Sequence, residues 1–388
     1  MNRFGDFFQN FFNSEKVAGL ILVVCTLVSL LVANSGCGAS YVHFFHQQVG
    51  PAAGGLHLSV EHWVNDGLMA IFFLMVGLEV ERELYVGELA SLRKAALPLM
   101  AAVGGMVVPA LIHFALNRGT GTQAGFAIPM ATDIAFALGI LSLAGRHAPT
   151  AVKVFLAALA IIDDIGAVLV IAFFYTKTIH VAYLLGALGI FAGLLVMNRL
   201  RVRTLLPYLI PGILMWYCLL QSGVHATIAG VLLAFAIPFH EEDQQNVSLR
   251  LQHFLHKPVA FIILPVFALA NTAIVLPGDM VAALSNRNSL GVILGLYAGK
   301  VTGIVLACWL AVRLRVADLQ EGLSWRAVAG AGFLGGIGFT MSMFIANLSF
   351  SDPGLITASK LGILLASTLS AVTGLLIFRL RKKSPTAS

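Results

Sequence analysis

Apolar runs of roughly 17 to 25 residues recur along this chain from end to end, and each is long enough to cross a hydrocarbon layer of about 30 Å as an α-helix. Nothing else in the sequence restricts the fold so strongly. Of the 388 residues, 59% are hydrophobic and 11% charged, with a mean hydropathy of +0.90, whereas a soluble domain carries about 25% charged residues. No stretch is left over to build a separate soluble domain. The sequence therefore reads as an all-α membrane protein, a single integral-membrane domain over residues 1–388.

Twelve transmembrane spans are predicted, near residues 17–34, 59–78, 95–116, 122–143, 151–175, 180–198, 205–220, 223–239, 258–277, 290–312, 327–349 and 357–378. An even number puts both termini on one side. With this assignment 19 of the 24 Lys and Arg residues fall on the terminal side; the other side receives Arg118, Lys177 and Arg287, and Lys300 and Lys360 fall inside spans. Basic loops stay in the cytoplasm, so both termini are expected there. The long segment 35–58 has no Lys or Arg and carries Pro51, Gly54 and Gly55, which predicts a periplasmic loop with a short hairpin.

The net charge of +6 and pI near 9.3 do not indicate nucleic acid, because the basic residues sit in short loops rather than on one face of an element. Cys25, Cys37, Cys218 and Cys308 are far apart, which gives neither a zinc site nor a disulfide framework. The leading segment carries Asp6 and Glu15 as well as Arg3 and Lys16, and the run that follows is too long for a signal-peptide core, so it reads as an uncleaved first span. Phe4, Phe7, Phe8, Phe11 and Phe12 at helical spacing predict an interfacial helix ahead of it, lying against membrane lipid.

A charged side chain at the centre of a bilayer costs about 2.5 to 3.5 kcal/mol on insertion scales, so each one needs a reason. Asp133, Asp163, Asp164 and Lys300 all lie deep within predicted spans. A single Asp–Lys pair would serve to orient two helices. Three carboxylates against one ammonium leave an excess, and a buried excess charge takes up protons or recruits a cation. Neighbouring carboxylates repel each other, so their protons leave in two coupled steps. Such a site holds protons or a hard cation with oxygen ligands and resists holding both.

Two spans carry signs of interruption. In GFAIPMATD, Pro129 removes a backbone donor while Thr132 and Asp133 place side-chain oxygens beside the break. In 327–349, Gly330, Gly332, Gly335, Gly336 and Gly338 precede Thr340, a pattern that serves either close helix packing or a second unwound stretch. The third to fifth spans and the tenth to twelfth then form two three-helix groups, approximately 95–175 and 290–379, each with a broken middle helix and inverted relative to the other. Broken helices crossing at the midplane would present positive N-terminal ends to Asp133 and negative C-terminal ends to Lys300.

Over essentially the whole chain, the stretches FFLMVGLEVERELYVGEL, IPMATDIAFALGIL, LAIIDDIGAVLVIAFFYT, LYAGKVTGI and GGIGFTMSMFIA closely resemble the NhaA family of sodium/proton antiporters. The resemblance implies a bacterial inner-membrane protein that exchanges cytoplasmic Na+ or Li+ for periplasmic protons, electrogenically and by alternating access. It implies Asp163 and Asp164 as carriers of the cation and the protons, with Thr132 and Asp133 contributing at the crossing of the broken helices. Lys300 resembles the family's midplane lysine, which pairs with Asp163 and is released when the cation binds. Activation at alkaline pH is implied through Glu79, Arg82, Glu83, His253 and His256, with His225 as a further histidine. The chain departs from the pattern at Gln252, where the best-studied relatives carry a glutamate. Pairing into a homodimer through the 35–58 loop is likewise implied by the resemblance alone.

Two other functions remain open to a membrane chain with buried aspartates. An intramembrane aspartyl protease needs two carboxylates on facing helices, whereas neighbouring residues of one helix point about 100° apart. A sodium-coupled solute symporter on the same fold would need a polar cavity for its solute, and the middles of the spans hold little beyond Asn271 to build one. No cofactor is expected.

Overall fold

The computed structural model describes residues 3–145, 148–176, 179–239, 246–320 and 322–380, without the side chains of 3–15, 53, 88 and 92. Lys177, the basic tail beyond residue 380 and the phenylalanine side chains of the leading segment lie outside the described residues. Among the described residues, eight helices are long and apolar enough to cross a membrane: Lys16–Ala33, Val60–Tyr85, Arg93–Leu116, Thr150–Phe174, Val181–Arg199, Val247–Asn271, Arg287–Arg313 and Pro353–Arg379. Two more spans form from bent pairs. Gly121–Met130 with Ile134–Leu143 bends by 47°, and Trp325–Gly335 with Phe339–Ser349 by 46°, which brings the described total to ten.

The remaining two predicted spans come out short. Segment 205–220 is the 17-residue helix Leu206–Ser222, closed by Gly223 at φ 84°, where an L side chain is strained. Segment 223–239 yields only the nine-residue helix Ile228–Ala236, a rise of about 14 Å, roughly half the hydrocarbon thickness. Gly223 and the turn after it use up its start, and Pro238 follows its end. The ninth span differs in the other direction, since its helix begins at Val247 and takes in Arg250 and Lys257. Likewise, the leading segment does not form a helix of its own but runs unbroken into the first span as Arg3–Ala33.

The loop after that helix does contain a hairpin, in which Gln48–Val49 pairs antiparallel with Leu58–Ser59. It also contains a helix, Gly38–His46, that no periodicity announced. Helix starts are closed by side chains that accept backbone N–H bonds: Asn246, Asp279, Asn286, Ser324 and Asp352. Among the described residues, three helices carry a wider π-turn, at Trp63–Leu68, Val259–Ile263 and Gly295–Gly299.

The described chain divides into two compact units. The first comprises Met1–Leu20, Leu92–Asp164 and Asp279–Ser388 and holds both bent pairs. Its interior includes the fully buried Leu97, Ile128, Phe155, Phe339 and Phe344, and among them the fully buried Lys300. The second comprises Ile21–Ser91 and Ile165–Gly278 and holds the hairpin. Large apolar side chains such as Leu31, Phe173, Leu185 and Ile213 are exposed, which suits a surface whose solvent is acyl chain rather than water.

Candidate ion-binding site

A break in a helix frees backbone donors on one side and acceptors on the other, and in a dry interior each must be met. The first unit meets them by laying its two breaks against each other. Asp133 N–H donates to the Ile337 carbonyl at 2.7 Å. Asp133 Oδ1 accepts from Phe136 N at 2.9 Å, capping the half-helix Ile134–Leu143. Its Oδ2 accepts from Thr340 N at 3.0 Å and from Thr340 Oγ1 at 2.6 Å, at the start of the opposite half-helix. One carboxylate therefore serves two helix N-termini, where negative charge is favoured. Phe339 N donates to Ser367 Oγ on the helix Pro353–Arg379, and Ser342 Oγ donates to the Ile128 carbonyl, a further tie between the bent pairs.

Lys300 lies at the complementary end. Its ammonium donates to the Met130 carbonyl, which closes the half-helix Gly121–Met130, and to Asp163 Oδ2 at 2.6 Å, with both side chains wholly buried. Thr132 Oγ1 stands 2.7 Å from the same Asp163 oxygen and 2.8 Å from the Gly335 carbonyl. Its single proton serves one of these at a time. Asp163 Oδ1 makes no hydrogen bond among the described residues. Asp164, next in the helix Thr150–Phe174, is 1% exposed.

The structure thus brings Thr132, Asp133, Asp163 and Lys300 into one buried cluster, with Asp164 beside it in sequence. Thr340, which follows the glycines of the second break, belongs to this cluster too, and the sequence gives no sign that its partner is Asp133. Among the described residues, no group of three or more His, Cys, Asp and Glu is placed to hold a metal ion. The donors around Asp163 are oxygens of a carboxylate, a hydroxyl and main-chain carbonyls, the set a hard cation accepts.

The residues for which the resemblance implies a pH response lie in the second unit and are less tightly gathered. On the helix Met69–Tyr85, Glu79 is half-buried and Arg82 pairs with its neighbour Glu83 at 2.7 Å. His253 is exposed and His256 half-buried on the helix Val247–Pro258, where Gln252 is 8% exposed. His225 Nε2 lies 3.2 Å from the Tyr175 carbonyl. The sequence reading passed over Glu81, which is 5% exposed and accepts from Ser248 Oγ at 3.0 Å, joining these two helices. A signal for it existed: Glu79, Arg82 and Glu83 share a helical face by their spacing, and Glu81 stands on the opposite one.

The model of the family described as Na+/H+ antiporter 1 matches residues 9–378. The protein named Na(+)/H(+) antiporter NhaA of Dechloromonas aromatica is 58% identical over 373 residues, covering 95% of this chain and 94% of that protein. The one of the same name from Cytophaga hutchinsonii is 54% identical over 378 residues, covering 97% and 96%. With near-complete coverage at this identity, the chain belongs to the Na+/H+ antiporter 1 family.

Proposed function

We propose that this chain exchanges Na+ or Li+ for protons across a bacterial inner membrane by alternating access, with Asp163 and Asp164 as the groups that carry them. The supporting observation is the condition of Asp163. One of its oxygens is held by Lys300 and Thr132 and the other faces no donor. A cation that binds at the open oxygen offsets the charge that holds Lys300, so ammonium and cation compete for one carboxylate. Protons on the aspartates oppose the cation in the same way, and this mutual exclusion couples the two fluxes. Two carboxylates that give up protons to one cation make the exchange electrogenic.

Asp133 stands outside that competition in this reading, since its oxygens already serve two half-helix N-termini. Thr132 links the site to the second break, because its proton passes between Asp163 and the Gly335 carbonyl. We further propose twelve spans, counting Leu206–Ser222 and the segment around Ile228–Ala236, with both termini cytoplasmic. The groups 95–175 and 290–379 are read as inverted repeats within one domain. Glu79, Arg82, Glu83, His225, His253 and His256 are assigned to pH response, and the periplasmic loop 35–58 to a homodimer contact outside the bilayer.

The test is the change in luminal pH of acidified everted vesicles when Na+, Li+ or K+ is added, for wild type and Asp164→Asn. Alkalinisation by Na+ and Li+ but not by K+, lost in the variant, supports the reading. Vesicles with folded protein that respond at no pH from mildly acidic to alkaline would overturn it.

A further inference from the structure

The span Arg287–Arg313 is not one regular helix. It consists of Arg287–Leu294, a π-turn at Gly295–Gly299 and Lys300–Arg313, and the N–H of Lys300 bonds five residues back to the Gly295 carbonyl. Such a turn inserts about one extra residue, and π-turns tend to occur at functional positions. One residue of helix corresponds to about 100° of rotation and about 1.5 Å of rise. With a regular helix from Arg287 onward, the Lys300 side chain would therefore be turned away from both Asp163 and the Met130 carbonyl.

The turn is also packed against both breaks. A methyl group on Gly295 would lie 2.7 Å from Pro129 Cβ, on the half-helix whose last carbonyl receives Lys300. One on Gly299 would lie 2.8 Å from Ile112 Cδ1 and 3.0 Å from Pro109 Cα. On its other side, the Leu296 side chain lies against Gly338 and its carbonyl against Gly336, between the two halves of the second bent pair. Tyr297 packs on Phe333 with ring centroids 5.4 Å apart, just ahead of that break. A change of register here is felt at Lys300 and at both breaks together.

We propose that the π-turn Gly295–Gly299 sets the register that aims Lys300 at Asp163, with Gly295 and Gly299 as its positioning residues. Release of Lys300 on cation binding runs through closure of this turn toward regular helix. The step rearranges one turn of backbone bonds and turns Lys300, together with the helix that follows it, by about 100° relative to Arg287–Leu294. It rests on the reading of Asp163 and Lys300 as the competing pair.

The experiment is a double-mutant cycle in proteoliposomes: wild type, Gly295→Ala, Lys300→Gln and the double variant, with apparent KM for Na+, maximal rate and pH profile measured for each. Gly299→Ala repeats the cycle at a position whose nearest neighbour is a flexible side-chain end, in case Gly295→Ala does not fold. In the wild-type background Gly295→Ala is expected to shift the KM for Na+ at least about threefold and to move the pH profile, more than it changes the maximal rate. With Lys300→Gln present that shift is expected to vanish. A shift of equal size in both backgrounds, or none in either glycine variant, would overturn the proposal. An unchanged KM and pH profile in Lys300→Gln alone would sink the underlying site reading instead, and the proposal with it.

Discussion

Lys300 and Asp163 meet at 2.6 Å with neither side chain reaching solvent, across 137 residues of sequence. Removing one partner of such a pair leaves an uncompensated buried charge, which costs about 3 to 5 kcal/mol, whereas removing both costs much less. Lys300→Ala is therefore expected to lower the midpoint of thermal unfolding in detergent, and Asp163→Asn in the same chain to restore part of it. Simple addition of the two losses would count against direct pairing.

Thr132 supplies one hydroxyl to two acceptors, Asp163 Oδ2 and the Gly335 carbonyl. Thr132→Val keeps the shape and removes the proton, at a cost of about 1 to 3 kcal/mol for the acceptor left alone. The expected result is a raised KM for both Na+ and Li+, with Thr132→Ser close to wild type. A valine variant with wild-type KM would show that the hydroxyl does not serve the site.

Asp133 holds the starts of two half-helices through Phe136 N, Thr340 N and Thr340 Oγ1. Asp133→Ala removes both caps and should destabilise the fold by about 2 kcal/mol or more. Asp133→Asn keeps an acceptor and should fold better while losing the charge. Thermal unfolding of both variants, with Thr340→Val for comparison, tests the order.

Glu81 and Ser248 join two helices of the second unit at 3.0 Å, with both residues buried. Ser248→Ala is expected to destabilise by about 1 to 3 kcal/mol, because the carboxylate loses its donor in a dry setting. Glu81→Gln should be milder than Glu81→Leu, since the amide can still accept from Ser248. Equal unfolding midpoints for all three variants and wild type would remove any weight from this contact.

Much of the candidate site could be read from the chain because burying a charge in a membrane is costly: Asp133, Asp163, Asp164 and Lys300 stand out against their apolar runs without any alignment. Pro129 marks the first break by the same kind of local rule, since proline cannot donate to a helix. At the second, the glycines left close packing and unwinding equally open, and the bend after Gly335 decides for unwinding. The hairpin in 35–58 was legible from its turn residues, but the helix Gly38–His46 beside it was not. Its apolar positions cover too short a stretch to show a period.

What the sequence determined by itself is the solvent, the helical class and the identity of the costly residues, because each follows from composition or from neighbours within a turn or two. Tertiary structure decided the partners. Thr340 reaches Asp133 across 207 residues and Thr132 reaches Gly335 across 203, and no local pattern encodes such a pairing. Some lengths were set locally instead, as Ile228–Ala236 stops at nine residues between the turn after Gly223 and Pro238. The aim of Lys300 is the clearest tertiary case. Its depth is written in the chain, but its direction depends on a π-turn whose glycines lie against Pro129 and Pro109, residues far away in sequence and near only in the fold.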